Sequence, residues 1–221
     1  ELIEFRRIET GNREVRVESL NVSSIVKGIA KTFVEMAKSR NITFLSKIPE
    51  QVMWNSDKGF LNTIIINLIS NAFKYTPDGQ SIKIEVDTSR ENMLALRVAN
   101  EGSTIKEKDF QYIFNRYAIL DNFENQDEKN FSRNGLGLAI SYNMAKLLNG
   151  TLKVENTPDG WVMFTLTLPV VKLTTGVSET KRLTAEYIPK IDTQSILKLP
   201  QYEFDLSLIH ISEPTRLRRI S

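Results

Sequence analysis

Two hydrophobic periods alternate along the chain, and the points where one gives way to the other mark out its elements. Leu2, Ile3, Phe5 and Ile8 share one helical face, which Gly11 and Asn12 terminate. Val15 and Val17 then alternate with charged residues as in a strand. Val22, Ile25, Val26, Ile29, Phe33 and Met36 return to the helical period and predict one helix over 22–38. Short strands follow over 41–47 and 52–54 around a turn at Pro49. A long apolar helix over 57–75 comes next, with Asp57 as its cap and Pro77, Asp78 and Gly79 as its stop. Alternation over 82–86 and 93–99 predicts two adjoining antiparallel strands, then a loop at Gly102 and a short helix over 107–117. The segment 120–134 is rich in Asn, Asp, Glu and Ser and reads as a mobile loop. A helix over 136–148 follows, and strands over 151–155 and 161–168, joined by a turn at Pro158, Asp159 and Gly160, close the series at Pro169. The sum is an α+β domain of two layers over 13–169, with 1–12 the end of an incoming helix.

Beyond Pro169 the period disappears, so 170–205 reads as a linker. The final stretch, LSLIHISEPTRLRRIS from Leu206, resembles the translation of a transposon-end adapter used in sequencing libraries. Residues 206–221 are therefore set aside as a non-native tail, and His210 within it has no natural role. Composition then adds exclusions. The 221 residues hold 29 basic and 27 acidic side chains, mixed along the chain to a formal net charge of +2, which leaves no basic stripe for a nucleic-acid backbone. The absence of cysteine and the single histidine exclude a disulfide framework, a thiolate metal site and multi-histidine ligation. No apolar run approaches the roughly 18 residues that span a bilayer. The start at Glu1 is not that of a signal peptide, so membrane attachment is expected outside this stretch.

The helix over 57–75 carries the first chemical signal. At about 100° per residue, Thr63, Asn67, Asn71 and Lys74 fall on one narrow stripe, while Ile64, Ile65, Ile66, Leu68, Ile69, Ala72 and Phe73 occupy the rest of the circumference. The stripe either faces solvent or lines a cavity. A solvent face is the simpler reading, but asparagine is a weaker helix former than the Lys or Glu usually found there. In a cavity, the amide oxygen of Asn71 suits a hard cation such as Mg2+ that also holds nucleotide phosphates, with Lys74 as a nearby positive charge. The second signal is RNGLGLAI, where Gly135 and Gly137 open a helix and turn backbone N–H groups toward an anion. A Gly-x-Gly alone is equally a plain loop-to-helix junction. The two signals together favour a phosphate site.

These segments carry a resemblance. NLISNAFKYTPDG looks like the N box, IFNRY the F box and NGLGLAI the second glycine box of sensor histidine kinases, in matching order and spacing. The likeness covers 15–169, and ELIEFRRIETGN at 1–12 is similar to the end of the second dimerisation helix of such kinases. It implies the Bergerat ATP fold, a mixed, mostly antiparallel sheet covered on one face by helices. ATP and Mg2+ would lie between the N-box helix and a lid over 118–134. Carried over by position, Asn71 is the magnesium-binding asparagine, Asn67 the polar residue one turn before it, Lys74 a phosphate contact and Tyr75 a neighbour of the adenine. Arg133, Gly135, Leu136, Gly137 and Leu138 belong to the phosphate-binding segment, Asn100 and Gly102 to the first glycine box, and Ile105 just after it to the same nucleotide site. Asn67 stands where gyrase-like and chaperone-like ATPases place a water-activating glutamate, and an amide cannot act as that base. Phosphoryl transfer to a protein is therefore favoured over direct hydrolysis. Glu35 and Glu50 are too remote in sequence to replace the glutamate.

The resemblance implies further partners. A response regulator or receiver domain would take the phosphoryl group from a histidine on a dimerisation domain of the same protein, itself a homodimer. That histidine would lie upstream, leaving this stretch inactive in autophosphorylation by itself. The whole protein would be anchored in the inner membrane with this domain in the cytoplasm. Three positions depart from the pattern. Asn100 replaces the usual adenine-binding aspartate, keeping an acceptor oxygen but not the charge. Thr104 replaces a glycine, and Arg133 stands at the first glycine of the second box, where it restricts the backbone yet can reach a phosphate. Asn100 and Thr104 motivate the alternative reading, a pseudokinase-like docking or regulatory scaffold with weak or no nucleotide binding. The aromatics Phe110, Phe114 and Tyr117 are expected to pack in the core beneath the lid.

Overall fold

A computed structural model describes residues 14–110, 112–114 and 136–172 of the chain. A two-stranded ribbon pairs β1 (Val17–Asn21) antiparallel with β3 (Met53–Asp57). Beside it stands a five-stranded sheet in the order β2 (Thr43–Lys47), β4 (Ser81–Asp87), β5 (Met93–Glu101), β7 (Trp161–Pro169), β6 (Thr151–Asn156). The pair β2–β4 is parallel and every other neighbouring pair is antiparallel. A parallel pair requires a crossover, and here the crossover contains β3 and helix α3 (Lys58–Tyr75). Strands β4 and β7 alternate buried with partly exposed residues along their whole length, so one sheet face holds the core and the other carries no layer of helices among the described residues.

Helix α3 is laid on the covered face by Phe60, Leu61, Ile64, Ile65, Leu68, Ile69, Ala72 and Phe73, all buried. Each of the Phe, Leu and Ile side chains contributes about 2 kcal/mol on leaving water. That outweighs the few tenths of a kcal/mol by which each asparagine or β-branched residue disfavours helix. At its start, Asp57 accepts from Phe60 N at 2.9 Å and, with its other oxygen, from Arg16 N at 2.8 Å, joining the cap to the approach of β1. At its end, the Arg40 guanidinium donates to Phe73 O, to Thr76 O at 2.7 Å and to Asp78 Oδ1 at 2.7 Å. Helix α4 (Gly137–Leu147) lies alongside α3 and buries Ala139, Ile140, Ser141, Met144 and Ala145.

The predicted helix over 22–38 is instead two, α1 (Val22–Thr32) and α2 (Val34–Ser39). The Thr32 hydroxyl donates to Ile29 O at 2.7 Å, and Phe33 N turns to Ala30 O at 3.1 Å, three residues back. The Phe33 ring then stacks on Phe73 with centroids 5.3 Å apart. Only a 3-10 turn over Glu107–Asp109 occupies the described start of the short helix predicted over 107–117. The expected incoming helix over 1–12, the lid over 118–134, and the linker and tail beyond residue 172 lie outside the described residues. No described helix is long and apolar enough to cross a membrane.

Candidate functional site

Three segments converge around the carboxyl-terminal half of α3: α3 itself, the loop leaving β5, and the first turn of α4. The stripe read from sequence divides on folding. Thr63 donates its hydroxyl to Gly59 O at 2.9 Å, within its own helix. Asn67 turns toward α4, where its Nδ2 donates to Gly137 O at 3.0 Å and to Ser141 Oγ at 3.1 Å. Asn71, half-buried one turn on, makes no hydrogen bond among the described residues, so its amide oxygen is available. Lys74 is half-buried, with Nζ 5.1 Å from the centre of the Tyr75 ring.

The loop leaving β5 is held from three sides. Asn100, only 3% exposed, donates from Nδ2 to Ser103 Oγ at 2.8 Å and distantly to Glu101 O at 3.5 Å. Those donor bonds set the amide so that Oδ1 keeps its acceptor capacity. Gly102 takes φ +78°, and a Cβ there would fall 2.6 Å from Pro77 Cδ, so both conformation and close approach demand glycine. Ile105 is buried, and Asn156 fixes its backbone reciprocally: Ile105 N donates to Asn156 Oδ1 at 3.2 Å, and Asn156 Nδ2 donates to Ile105 O at 2.7 Å.

On α4, Leu136 is buried, while Gly137 and Leu138 are half-buried at the helix start. A Cβ built on Gly137 would meet the Asn67 amide at 3.4 to 3.6 Å, ordinary contact, so packing against α3 does not itself demand glycine there. Arg133 and Gly135 lie outside the described residues. The aromatics behave as core: Phe110 and Phe114 pack against it, and Phe114 stacks on Tyr142 with centroids 5.1 Å apart. Tyr117 lies outside the described residues. Glu35 and Glu50 are exposed, and Glu35 pairs with Lys38 at 2.8 Å.

Four residues went unnoticed in sequence: Arg40, Ser103, Ser141 and Asn156. Arg40 and Asn156 act through backbone groups distant along the chain, Ser141 meets Asn67 from another helix, and Ser103 serves the Asn100 amide within one loop; polar residues so placed leave no period to read. Only Ser141 carries a weak signal, a small polar residue four after Gly137 in an otherwise apolar run. A cavity of about 390 Å³ opens on the sheet face opposite the core, lined in part by Asp87, Arg97, Lys153 and Thr165. It contains none of the motif residues. Arg97 there is paired with Asp87 at 3.1 Å and Glu85 at 3.5 Å, so the cavity is a solvated charged face rather than a rival for the phosphate chemistry.

The family model described as "Histidine kinase-, DNA gyrase B-, and HSP90-like ATPase" matches residues 56–172, just over half of the 221-residue chain. Histidine kinase P4 of Formosa agariphila is 28% identical over 210 residues, covering 88% of this chain and 15% of that kinase. The chain thus spans less than a sixth of that relative's length. Among solved structures, the nucleotide-free catalytic domain of histidine kinase ThkA superposes with a TM-score of 0.60 at 22% identity, covering 70% of this chain and 97% of that one. Full-length ShkA in complex with AMPPNP gives a TM-score of 0.65 at 18% identity, covering 78% of this chain and 35% of that one. At such identities the structural likeness establishes the fold, that of histidine kinase catalytic domains, as the sheet and covering helices had indicated. The match from Ser56 through the ribbon's last residues, α3, the glycine turn and α4 makes this chain a member of the histidine kinase-, DNA gyrase B- and HSP90-like ATPase family.

Proposed function

We propose that the chain is the ATP- and Mg2+-binding catalytic domain of a two-component sensor histidine kinase, donating the γ-phosphoryl group of ATP to a histidine on a dimerisation domain of the same protein. The observation that carries this reading is Asn71. It is a half-buried amide without a hydrogen-bond partner among the described residues, on a helix that buries eight of its eighteen residues in the core. An amide oxygen fits a hard cation that completes its shell with phosphate oxygens and water, which makes Asn71 the protein donor of choice for Mg2+. When bound, the ion supplies charge neutralisation on the phosphates. Lys74 adds positive charge beside them, and the N–H groups at the first turn of α4, at Gly137 and Leu138, which have no partner among the described residues, receive anionic oxygens. Oδ1 of Asn100 accepts from the adenine amino group, with Gly102, Ile105 and Tyr75 shaping that end of the pocket. Arg133 and Gly135 belong to the same reading through sequence alone.

Asn100 also favours this reading over a regulatory scaffold. Its amide nitrogen is satisfied within the loop, and its acceptor remains free among the described residues. Asn67, with its amide nitrogen committed to α4, favours transfer to protein over a water-activating hydrolase. We place a response regulator or receiver domain downstream of the phosphohistidine, and the working protein as a homodimer with this domain on the cytoplasmic side of the inner membrane. The decisive experiment is calorimetric titration of the 221-residue chain with AMPPNP, with and without Mg2+, alongside Asn71→Ala. Magnesium-enhanced binding that the substitution weakens by about tenfold or more is the expected result. A folded chain that binds no AMPPNP at millimolar concentration overturns the reading in favour of the scaffold.

A further inference from the structure

Asn67 and Ser141 meet at a single carbonyl. The Asn67 amide nitrogen donates one hydrogen to Gly137 O at 3.0 Å and the other to Ser141 Oγ at 3.1 Å, and the Ser141 hydroxyl donates to the same Gly137 O at 2.8 Å. A carbonyl has no hydrogen to give, so nitrogen must be the amide atom that faces it, and the hydroxyl must present its lone pair to Asn67. Every hydrogen in this small ring is assigned. A serine bonding back to the carbonyl four residues earlier is common inside helices and by itself implies nothing beyond helix structure. Here the carbonyl belongs to the first turn of α4, and the second donor comes from another helix. Leu136, the residue preceding α4, makes no side-chain capping bond, so the tie from α3 reaches this turn where its own cap does not.

We propose that Asn67 and Ser141 form a strut that sets the first turn of α4 against α3, and that Ser141 is a positioning residue for nucleotide phosphates, acting only through Gly137 and Asn67. Ser141 has 0% exposure and cannot touch a ligand itself. The strut requires an amide at position 67: a carboxylate there would turn lone pairs toward the Gly137 carbonyl and remove the donor that α3 supplies to it, leaving only the Ser141 hydroxyl from within α4. The inference rests on the nucleotide reading above and adds to it a residue that none of the sequence motifs singles out.

The test measures the affinities of the 221-residue chain for AMPPNP with Mg2+ and for adenosine, in the wild type, Ser141→Ala, Asn67→Ala and the double variant. Alanine is a stronger helix former than serine, so Ser141→Ala is expected to fold, and its melting curve checks this. Ser141→Ala should weaken AMPPNP binding about fivefold and change adenosine binding by less than about twofold. The double variant should bind AMPPNP no more than about twofold worse than Asn67→Ala, because the second change acts on a strut already broken. Unchanged AMPPNP binding in Ser141→Ala overturns the proposal while leaving the nucleotide reading intact. Equal loss of both ligands overturns it too, since that is general loosening, and so do independent, multiplying losses in the double variant. Absence of AMPPNP binding by the wild type brings down the nucleotide reading and the strut's role with it.

Discussion

A side-chain carbon at Gly102 would lie 2.6 Å from Cδ of Pro77, closer than two carbons can stand, so the loop leaving β5 and the stop of α3 are fitted to one another through a glycine. Pro77 ends the helix that carries Asn71, and Gly102 follows Asn100, so this contact sets the spacing between two parts of the proposed nucleotide site. Gly79 provides an internal comparison: its φ of +81° is as demanding as the +78° of Gly102, but a Cβ there meets nothing within 4 Å. Gly79→Ala should therefore cost only the backbone term, about 1 kcal/mol, and Gly102→Ala about 2 to 4 kcal/mol. Urea denaturation measures both, and equal losses would show that the Pro77 contact has no energetic weight.

Arg40 closes the same corner from outside. Its guanidinium serves two carbonyls at the end of α3 and the carboxylate of Asp78, with its side chain 26% exposed. Carbonyls at a helix end need donors, and one planar fork supplies two of them together. Allowing for partial solvation, Arg40→Met should lower stability by about 2 kcal/mol. Arg40→Lys should recover less than half of that, because an ammonium reaches the Asp78 charge but not both carbonyls. Guanidinium denaturation of the two variants decides the matter, and full recovery by lysine would mean that charge alone is at work.

The ends of α3 were legible in sequence because strong punctuation brackets a strong period: Asp57 caps it, and Pro77, Asp78 and Gly79 stop it, as expected. Strands β4, β5, β6 and β7 were legible for the parallel reason of alternation. What could not be read depends on partners distant along the chain. Asn55, Ser56 and Asp57 have no strand composition, yet β3 continues through them because Val17 to Asn21 pair alongside in register. The break at Phe33 likewise answers to the Phe73 ring and the Thr32 hydroxyl rather than to any Gly or Pro. In the site, the asparagines were visible by their unusual placement on an apolar helix. Which amide would be committed to α4 and which left available followed only from the packing of the two helices.

Asp57 should be the more damaging of the capping residues to lose. It is buried at 5% exposure, and its two oxygens accept separately from Phe60 N at the helix start and Arg16 N before β1. Asn21, which caps α1 by accepting from Ser24 N at 3.1 Å, makes one such bond in a more exposed setting. Asp57→Ala should cost about 2 kcal/mol or more, and Asn21→Ala about 1 kcal/mol. Paired thermal melts give the ranking, and a reversed order would remove the assigned importance of the second bond.

Acid should act partly through Asp87. The Ser89 backbone N–H, the Ser89 hydroxyl and Arg97 together lower its pKa from the ordinary 3.8 to about 2. Asp159 is lowered in the same direction, chiefly by the Thr157 hydroxyl. A folded-state pKa below the unfolded one means the charged form is preferred in the fold. The resulting stability is fully present above the ordinary value of 3.8 and is lost as pH falls toward 2. Asp87→Asn, which cannot titrate, should melt lower than the wild type near neutral pH, and the gap should narrow as the pH is taken down through that window. Melting curves across it provide the check, and a constant gap would disconnect Asp87 from the acid response.

Asn100→Asp tests the departure from the family pattern directly. A carboxylate at this buried position could accept from the Ser103 hydroxyl, now rotated to donate, and more strongly than an amide from an adenine amino group. It would also surrender the donor that Asn100 offers Glu101 O at 3.5 Å and place an ionised group where the side chain is 3% exposed. The two effects fall on different states: desolvation is felt by the free chain, whereas the stronger adenine bond is felt only in the complex. The variant should therefore melt several degrees lower without ligand, yet bind AMPPNP about three- to tenfold more tightly, the gain of one charge-assisted hydrogen bond over a neutral one. Calorimetry and melting on the same preparation separate the two. Weaker binding together with lower stability would indicate that this pocket is built around the amide, and that Oδ1 of Asn100 does not meet the adenine amino group.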